Sequence, residues 1–296
     1  MGAGAAIHAL NSFLSRLAGP VARPLGLEQL PKNFPWIAYS ALGFTLVHVV
    51  LAPAVSQWVA PVSYAKLQGR RAKNNWDIHV VSLVHALIII VLASRALFLP
   101  ALLADPIHGW DDAAELANAI AAGYFVWDTI DAIVNFTDLG FVLHGLACTI
   151  VYTLTFRPIL EYFSCRFLFW EMSTPFLNIH WFLDKTGYTG GTFQLINGIL
   201  LLSTFFFVRI VYGWYTSIKF WRIMFTSSSQ IPTASWVIFL LGHAVLMTLN
   251  LIWLNKMIHA LRKRFDTSHD PKQPLLTPSD GLPSHYSNTN PVDGAA

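Results

Sequence analysis

Charged residues are scarce in this chain of 296 residues. Asp, Glu, Lys and Arg make up 12% of it, about half of the share in a typical soluble domain, whereas 54% of its residues are hydrophobic. The formal net charge is +3, and the basic residues gather at the ends of apolar runs and in one loop. They form no basic face with interleaved aromatic rings, so the sequence excludes a nucleic-acid partner.

Cysteine is also scarce. Cys148 and Cys165 are the two cysteines, and both lie in or beside apolar segments. They provide neither a disulfide framework nor a Cys-x-x-Cys metal pair. The sequence shows no internal repeat, and we expect no cleavable signal peptide, because the first apolar run begins near Phe34 and is long enough to remain as an anchor.

Long apolar runs, by contrast, are abundant. About 20 apolar residues cross a bilayer, and by that measure the sequence predicts seven transmembrane spans. The fifth contains Glu161, Arg166 and Glu171 and breaks at Pro175, so we expect it to be tilted, kinked or partly re-entrant. The predicted spans cover residues 34–58, 78–98, 113–136, 139–156, 159–177, 193–215 and 234–257.

The predicted fold class is all-α, a polytopic membrane helix bundle with about seven transmembrane helices. We divide the chain into an N-terminal segment (1–33), the first transmembrane helix with its loop (34–69), a main domain (70–265) and a tail (266–296). Residues 8–17 favour a short amphipathic helix on the membrane surface, and a loosely ordered terminus is the alternative. The tail is rich in Pro, Ser, Thr, Asn and Asp, so we expect it to be disordered and open to protein partners.

Two basic clusters predict the topology, because cytoplasmic loops carry an excess of Lys and Arg. One cluster follows the first span and the other follows the last, and an even number of spans between them puts both on one side. We therefore expect a cytoplasmic C-terminus and an N-terminus on the lumenal or outer side. The clusters are Lys66, Arg70, Arg71 and Lys73, and His259, Arg262, Lys263 and Arg264.

A polar stripe runs along the third span. Tyr124, Asp128, Asp131 and Asn135 follow helical spacing and share one face. A carboxylate at membrane depth is costly, so this face should meet protein or a wet cavity. The two carboxyl groups predict a proton-handling or headgroup-binding pair. The alternative is that they only form hydrogen bonds between helices.

A second stripe follows on the fourth span, where His144, Cys148, Tyr152 and Thr155 share one face. A buried histidine near a carboxylate has the chemistry of a base or acyl acceptor, which makes His144 the candidate catalytic residue. The alternative is a structural histidine that bonds across helices.

Further polar side chains in other spans complete the candidate lipid cavity. His85 and His243 resemble His144 as intramembrane histidines, but they lack the spacing of a metal site, so no metal and no cofactor is expected. Arg209 needs a carboxylate partner, for which Glu171 or an Asp of the third span is the candidate. The full set of candidate cavity residues is His85, Tyr124, Asp128, Asp131, His144, Glu171, Asn178, Arg209 and His243.

These residues carry a resemblance to a known family. Gly123-Tyr124-Phe125-x-x-Asp128, then His144, then Glu171-x-Ser173-Thr174-Pro175-Phe176-x-Asn178 resembles the TLC family, over about residues 70–262. That family groups translocating-chain-associating proteins, longevity-assurance ceramide synthases and the neuronal ceroid-lipofuscinosis protein of the endoplasmic reticulum. The resemblance is to its small TLC-domain-containing branch. It implies six helices around a lipid-accepting interior, here preceded by one extra span, usually in the endoplasmic reticulum.

The resemblance to ceramide synthases is incomplete where acyl transfer is concerned. Those enzymes place two adjacent histidines where this chain has His144 and Gly145. They also carry a His-Asp and Asp cluster before the acidic residue matching Glu171, whereas residues 163–167 here contain neither His nor Asp. The sequence thus leans away from an enzyme.

The predicted function is a multi-pass TLC-type protein that binds or handles lipid and contributes to membrane lipid homeostasis. The alternatives are a ceramide-synthase-like lipid acyltransferase using His144, and a cargo or trafficking adaptor that acts through its tail. The expected partner is a membrane lipid, for which a sphingolipid or an acyl-CoA is the candidate.

Overall fold

The computed structural model describes residues 2–266, which are helical apart from short connections. The predicted tail lies outside the described residues from position 267 onward. Polar N-caps begin two of the helices, since Asp111 and Asp138 each accept a hydrogen bond from a backbone N–H of the first turn. The helices are α1 Ala3–Leu25, α2 Leu30–Val59, α3 Pro61–Ala65, α4 Gly69–Ala96, α5 Pro100–Ala104, α6 Asp112–Val134, α7 Leu139–Leu154, α8 Glu161–Phe167, α9 Thr174–Lys185, α10 Thr192–Thr226 and α11 Thr233–Asp266.

Four helices between residues 2 and 266 are long and apolar enough to cross a membrane, namely α2, α4, α10 and α11. The shorter helix α7 is apolar as well, with 16 residues. The chain is therefore an all-α, polytopic helical membrane protein, as the composition predicts. Helix α6 has 23 residues but carries Asp112, Glu115, Asp128 and Asp131, and these carboxyl groups lower its hydropathy.

The fifth predicted span is not one continuous helix. Helix α8 ends at Phe167, a 3-10 segment covers Leu168–Ser173, and α9 begins at Thr174. Pro175 therefore does not break a helix from within, as the sequence suggested, but lies in the first turn of α9. A proline fits there because the N–H that it lacks has no partner in the first turn anyway.

Contacts between helix ends define two ends of the bundle. At the basic end, the Asn74 side chain donates to the Asp131 carboxylate at 3.2 Å and Lys256 pairs with Asp138 at 3.7 Å. At the opposite end, the Leu160 N–H donates to the Ile107 carbonyl at 2.7 Å. The basic end holds the start of α4, the end of α6, the start of α7 and the last part of α11.

Helix α1 is longer than the amphipathic segment expected over residues 8–17, and it replaces the alternative of a loosely ordered terminus. It packs along α2, where the Tyr39 hydroxyl donates to the Asn11 side chain at 2.6 Å. Ala18 and Ala22 are buried in that contact. Its exposed apolar side chains follow helical spacing and form one outward face: Ile7, Leu10, Phe13, Leu17, Val21 and Leu25.

Helix α6 is central, and glycines allow close approach on both of its sides. A Cβ on Gly123 would lie 2.4 Å from the Ile37 carbonyl of α2. On the other side, a Cβ on Gly145 of α7 would lie 2.7 Å from the Thr129 hydroxyl and 3.1 Å from the Thr129 Cα. Small residues at such crossings are how membrane helices approach closely. The same contact leaves no room for a histidine at position 145.

Candidate functional site

Two cavities meet in the middle of the bundle, and we call them the apolar chamber and the polar chamber. Counting space open to the outside, the apolar chamber encloses about 690 Å³ and the polar chamber about 710 Å³. His144, Glu171 and Arg209 line both chambers. These three side chains therefore form the junction between them.

The apolar chamber extends towards the opposite end of the bundle. Its wall is mainly aromatic and aliphatic, which is typical of a site for small apolar or amphipathic ligands. Polar groups on it are few and come from isolated side chains. Beyond the junction, its lining residues are Phe125, Cys148, Val151, Tyr152, Thr155, Leu160, Phe163, Ser164, Phe167, Leu168, Trp170, Phe220, Phe239, His243 and Leu246.

The polar chamber extends towards the basic end. Besides the junction residues, one carboxyl group and four hydroxyl groups line it, and they come from α4, α6, α9 and the 3-10 segment before α9. Aromatic rings of α7, α10 and α11 complete the wall. Together the two chambers make an amphipathic interior, polar at one end and apolar at the other. Beyond the junction, the polar chamber is lined by Ser82, Tyr124, Asp128, Phe141, Ser173, Thr174, Leu177, Leu201, Phe205, Trp253 and Met257.

Arg209 is the best-connected side chain of the junction. Its Nε donates to the Ser173 hydroxyl at 3.1 Å, and one terminal nitrogen donates to the Asn250 Oδ1 at 3.1 Å. The other terminal nitrogen lies 3.5 Å from the Thr174 hydroxyl and 3.7 Å from the Glu171 carboxylate. Glu171 is thus its carboxylate partner, one of the two alternatives from the sequence. The pair is looser than a direct charged hydrogen bond, which measures about 2.7–2.9 Å.

Irregular helix geometry positions this junction from both sides. Arg209 lies in a π-helical stretch of α10, Phe206–Tyr212, and Glu171 lies in the 3-10 segment Leu168–Ser173. Such departures from α-helical geometry are frequent at functional sites because they re-aim side chains. The 3-10 segment is followed directly by Thr174 and Pro175, which begin α9.

His144 stands at the junction with its ring among aromatic neighbours. The ring centroid lies 5.3 Å from that of Trp253 and 6.2 Å from that of Phe125. Its nearer ring nitrogen lies 3.8 Å from the Cys148 Sγ, one helical turn on. His144 therefore contacts both chambers but has no carboxylate at hydrogen-bond distance among the described residues.

The two aspartates of α6 have different surroundings. Asp128 lines the polar chamber and forms no hydrogen bond or ion pair with the residues that the structure describes. Asp131 does not line either chamber and binds the side chains of Asn74 and Asn135 at 3.2 Å and 2.8 Å. The structure thus separates the pair: Asp128 faces the cavity, and Asp131 connects helices at the basic end.

Tyr124 and His85 form a stacked pair behind the polar chamber. The two rings are 3.6 Å apart and nearly parallel, and Tyr124 lines the chamber whereas His85 does not. His85 is fully buried, and neither ring nitrogen has a hydrogen-bond partner among the described residues. Its place is therefore in the packing between α4 and α6, beside the cavity rather than in its wall.

Asn178 and His243 complete the predicted set. The Asn178 amide donates to the Ser82 hydroxyl at 3.1 Å, so it reaches the polar chamber through Ser82. His243 lines the apolar chamber, and its Nε2 lies 2.9 Å from the Ser217 hydroxyl. Six of the nine predicted residues line a chamber: Tyr124, Asp128, His144, Glu171, Arg209 and His243.

Of the α11 wall of the site, the sequence-based set contains only His243. Asn250 binds Arg209, and Trp253 and Met257 line the polar chamber. The signal for them was helical spacing from His243, since positions 243, 246, 250, 253 and 257 share one face of α11. Across residues 2–266, no group of three or more His, Cys, Asp and Glu side chains is placed to hold a metal ion.

Comparison with known proteins agrees with this architecture. Residues 75–259 match the family model for the TLC domain. An uncharacterized TLC domain-containing protein of Schizosaccharomyces pombe is 38% identical over 85% of this chain and 86% of its own length. TLC domain-containing protein 4-B of Danio rerio is 33% identical over 77% of this chain and 88% of its own. Topoisomerase I damage affected protein 4 of Saccharomyces cerevisiae is 29% identical over 77% and 84%.

No solved structure matches this chain. The family match covers most of the chain, and the relatives are small TLC domain-containing proteins, which confirms the resemblance found in the sequence. The chain therefore belongs to the TLC domain family.

Proposed function

We propose that this protein binds a membrane lipid in its two chambers and contributes to membrane lipid homeostasis. One observation carries the proposal: a polar and an apolar cavity meet at His144, Glu171 and Arg209. An amphipathic lipid matches this division, with its headgroup in the polar chamber and an acyl chain in the apolar one. Soluble ligands would leave the apolar wall exposed to water, which is unfavourable.

The same proposal includes seven membrane crossings. In this proposal the chain runs alternately between the basic end and the opposite end. The crossing elements are α2, α4, α6, α7, the α8–α9 pair, α10 and α11. The chain then enters α4 and leaves α11 at the same end, where Asn74 and Lys256 lie. By the positive-inside rule that end is cytoplasmic. The proposed membrane is that of the endoplasmic reticulum, which is what the resemblance to the TLC family implies.

The direct test is native mass spectrometry of the full-length protein purified in mild detergent. We expect one lipid per chain to remain bound. A bulky residue in the apolar chamber, Leu246→Trp, should reduce lipid retention, whereas Leu241→Trp should not, because Leu241 is 63% exposed on the same helix. Lipid-free wild-type protein, or equal loss in both variants, would contradict the proposal.

Acyl transfer is the second candidate function, and the position of His144 at the junction favours it. A headgroup and an acyl carbonyl could meet there. Against it stands the contact of Gly145 with Thr129, which leaves no space for the adjacent histidine of ceramide synthases. The adaptor alternative depends on the tail, which lies outside the described residues, and it stays a prediction from the sequence.

Variants of His144 separate binding from catalysis. Wild type, His144→Ala and His144→Gln are purified and offered long-chain acyl-CoA with a panel of amine and hydroxyl lipids. For a binding protein we expect no turnover and retained lipid in His144→Gln. An acyltransferase would instead show wild-type turnover that falls about 100-fold or more in both variants, as when a general acid–base residue is lost.

A further inference from the structure

The polar chamber is lined by more acidic than basic side chains. Beside the junction pair of Glu171 and Arg209, the polar chamber has one more ionisable acid, Asp128. Two carboxyl groups thus face one guanidinium within the residues that the structure describes. An unpaired carboxylate inside a membrane protein is costly unless a cation or a proton compensates it.

Asp128 is placed as a ligand-binding group rather than as a helix connector. Its neighbour Asp131 has partners on two sides, whereas Asp128 has none among the described residues and lines the cavity. Arg209 does not compensate it, because that guanidinium is occupied by Ser173, Asn250 and Glu171. The free carboxylate is therefore available to a bound molecule.

Aromatic rings share the chamber with this carboxylate. Tyr124, one turn before Asp128 on α6, lines it, as do Phe141 and Trp253. Trp253 already lies 6.0 Å from the Arg209 guanidinium carbon, within the range of a cation–π contact. A carboxylate among aromatic faces is the chemistry that recognises an ammonium group, including quaternary ones.

We propose that the polar chamber selects lipids that carry an ammonium headgroup, with the ammonium against the Asp128 carboxylate and the aromatic rings. This rests on the proposed lipid-binding function and names the class of lipid for it. A zwitterionic phospholipid and a phosphate-free cationic lipid both supply the group. Anionic lipids without an ammonium meet two carboxylates at close range and are disfavoured, since like charges in a desolvated site repel strongly.

The test is lipid competition. The full-length protein is reconstituted with an equimolar mixture of dioleoyl lipids that differ only in the headgroup, and the retained lipids are identified by mass spectrometry. The mixture contains phosphatidylcholine, phosphatidylethanolamine, phosphatidylglycerol, phosphatidic acid, diacylglycerol and dioleoyl-trimethylammonium-propane. We expect ammonium lipids to be enriched about tenfold over phosphatidylglycerol. The ratio of retained phosphatidylcholine to retained dioleoyl-trimethylammonium-propane then shows whether a zwitterionic phospholipid or a phosphate-free cationic lipid is favoured.

Three variants assign the effect to one side chain. Asp128→Asn keeps the shape but removes the charge, and it should abolish the enrichment. Asp128→Glu keeps the charge and should retain the enrichment, which guards against misfolding as the cause. Asp131→Asn is the matched control, one turn further on α6 and outside both chambers, and should retain it as well.

Two results would overturn the inference while leaving the proposed function intact. One is lipid retained without preference for ammonium headgroups. The other is a preference that survives in Asp128→Asn or is lost equally in Asp131→Asn. Absence of any bound lipid in the wild type would instead refute the proposed function itself, and with it this inference.

Discussion

Two groups of charged residues in this protein differ in how completely they are paired. At the opposite end of the bundle, Lys32 contacts Asp112 at 2.6 Å and Glu115 at 2.8 Å, and Asn33 donates a further hydrogen bond to Glu115. At the junction of the chambers, Arg209 and Glu171 are 3.7 Å apart. The first group is saturated by its own chain, which suits a structural connection between α2 and α6.

The junction, in contrast, retains binding capacity. Glu171 has no hydrogen bond among the described residues apart from its loose pairing with Arg209. Buried polar groups are normally satisfied, so a group left partly unsatisfied at a cavity wall indicates a site for a ligand. The comparison therefore separates charges that are paired within the fold from charges that we propose to bind a ligand, and four variants test this distinction.

The largest expected effect is that of Arg209→Met. Removing the guanidinium leaves Glu171 without its counter-ion and Ser173 and Asn250 without their contact. Losing one partner of a buried ion pair costs about 3–5 kcal/mol. The free energy of unfolding in mixed micelles measures this, with Lys219→Met as the control, because Lys219 is an exposed cation on the same helix. Equal free energies of unfolding for both variants would show that the contacts of Arg209 at the junction do not stabilise the fold.

Glu115→Ala should have the next largest effect. Glu115 is 1% exposed and accepts hydrogen bonds from Lys32 and Asn33. Deleting it removes one hydrogen-bond partner of the buried Asn33 amide, and losing the partner of a buried donor costs about 1–3 kcal/mol. If this end is purely structural, lipid retention per folded chain should not change. A loss of lipid selectivity in this variant would erase the distinction between the two groups.

Gly145→Ala tests whether the site depends on the close packing of α7 against α6. The added methyl group would meet the Thr129 backbone and hydroxyl, so α7 must move away from α6. Overpacking of this kind costs about 1–3 kcal/mol. Because His144 is the neighbouring residue, we expect weaker lipid retention as well. Gly43→Ala on α2 is a suitable comparison, because an added Cβ there would have no atom within 4 Å.

Asp112→Asn should have the smallest effect. The carboxylate of Asp112 is 81% exposed although it lies close to Lys32. Exposed ion pairs contribute little because water and salt screen them. We expect a free energy of unfolding that equals the wild-type value within error, at both low and high salt. A difference in free energy of unfolding that depends strongly on salt would show instead that the exposed Asp112 contributes to stability.

The sequence predicted the helices well where hydropathy alone decides, and less well where packing decides. Hydropathy located α2 to within four residues at each end, but it missed one end of each of the other three long helices. Helix α4 begins at Gly69 instead of 78, α10 continues to Thr226 instead of 215, and α11 continues to Asp266 instead of 257. The 3-10 segment before Thr174 depends on contacts with neighbouring helices, such as that of Ser173 with Arg209. Such tertiary contacts have no local signature.

The candidate site shows the same division. Helical spacing correctly placed Tyr124 and Asp128 on one face, but it placed Asp131 there too. Three residues on from Asp128, Asp131 already lies near the helix end, where Asn74 of another helix binds it. Spacing gives the angle of a side chain about its helix axis, whereas the depth of the cavity along that axis depends on the surrounding helices.

Because of the π-helical stretch Phe206–Tyr212, the orientation of the side chains of α10 depends on the exact number of residues in this helix. An α-helix turns by about 100° per residue, so deleting one residue here would rotate one half of α10 relative to the other by that angle. Arg209, Leu201 and Phe205 would then no longer point into the chambers together with Phe220. Single-residue deletions should therefore be tolerated in the connection between α9 and α10 and rejected within residues 206–212, even where each side chain taken alone is replaceable.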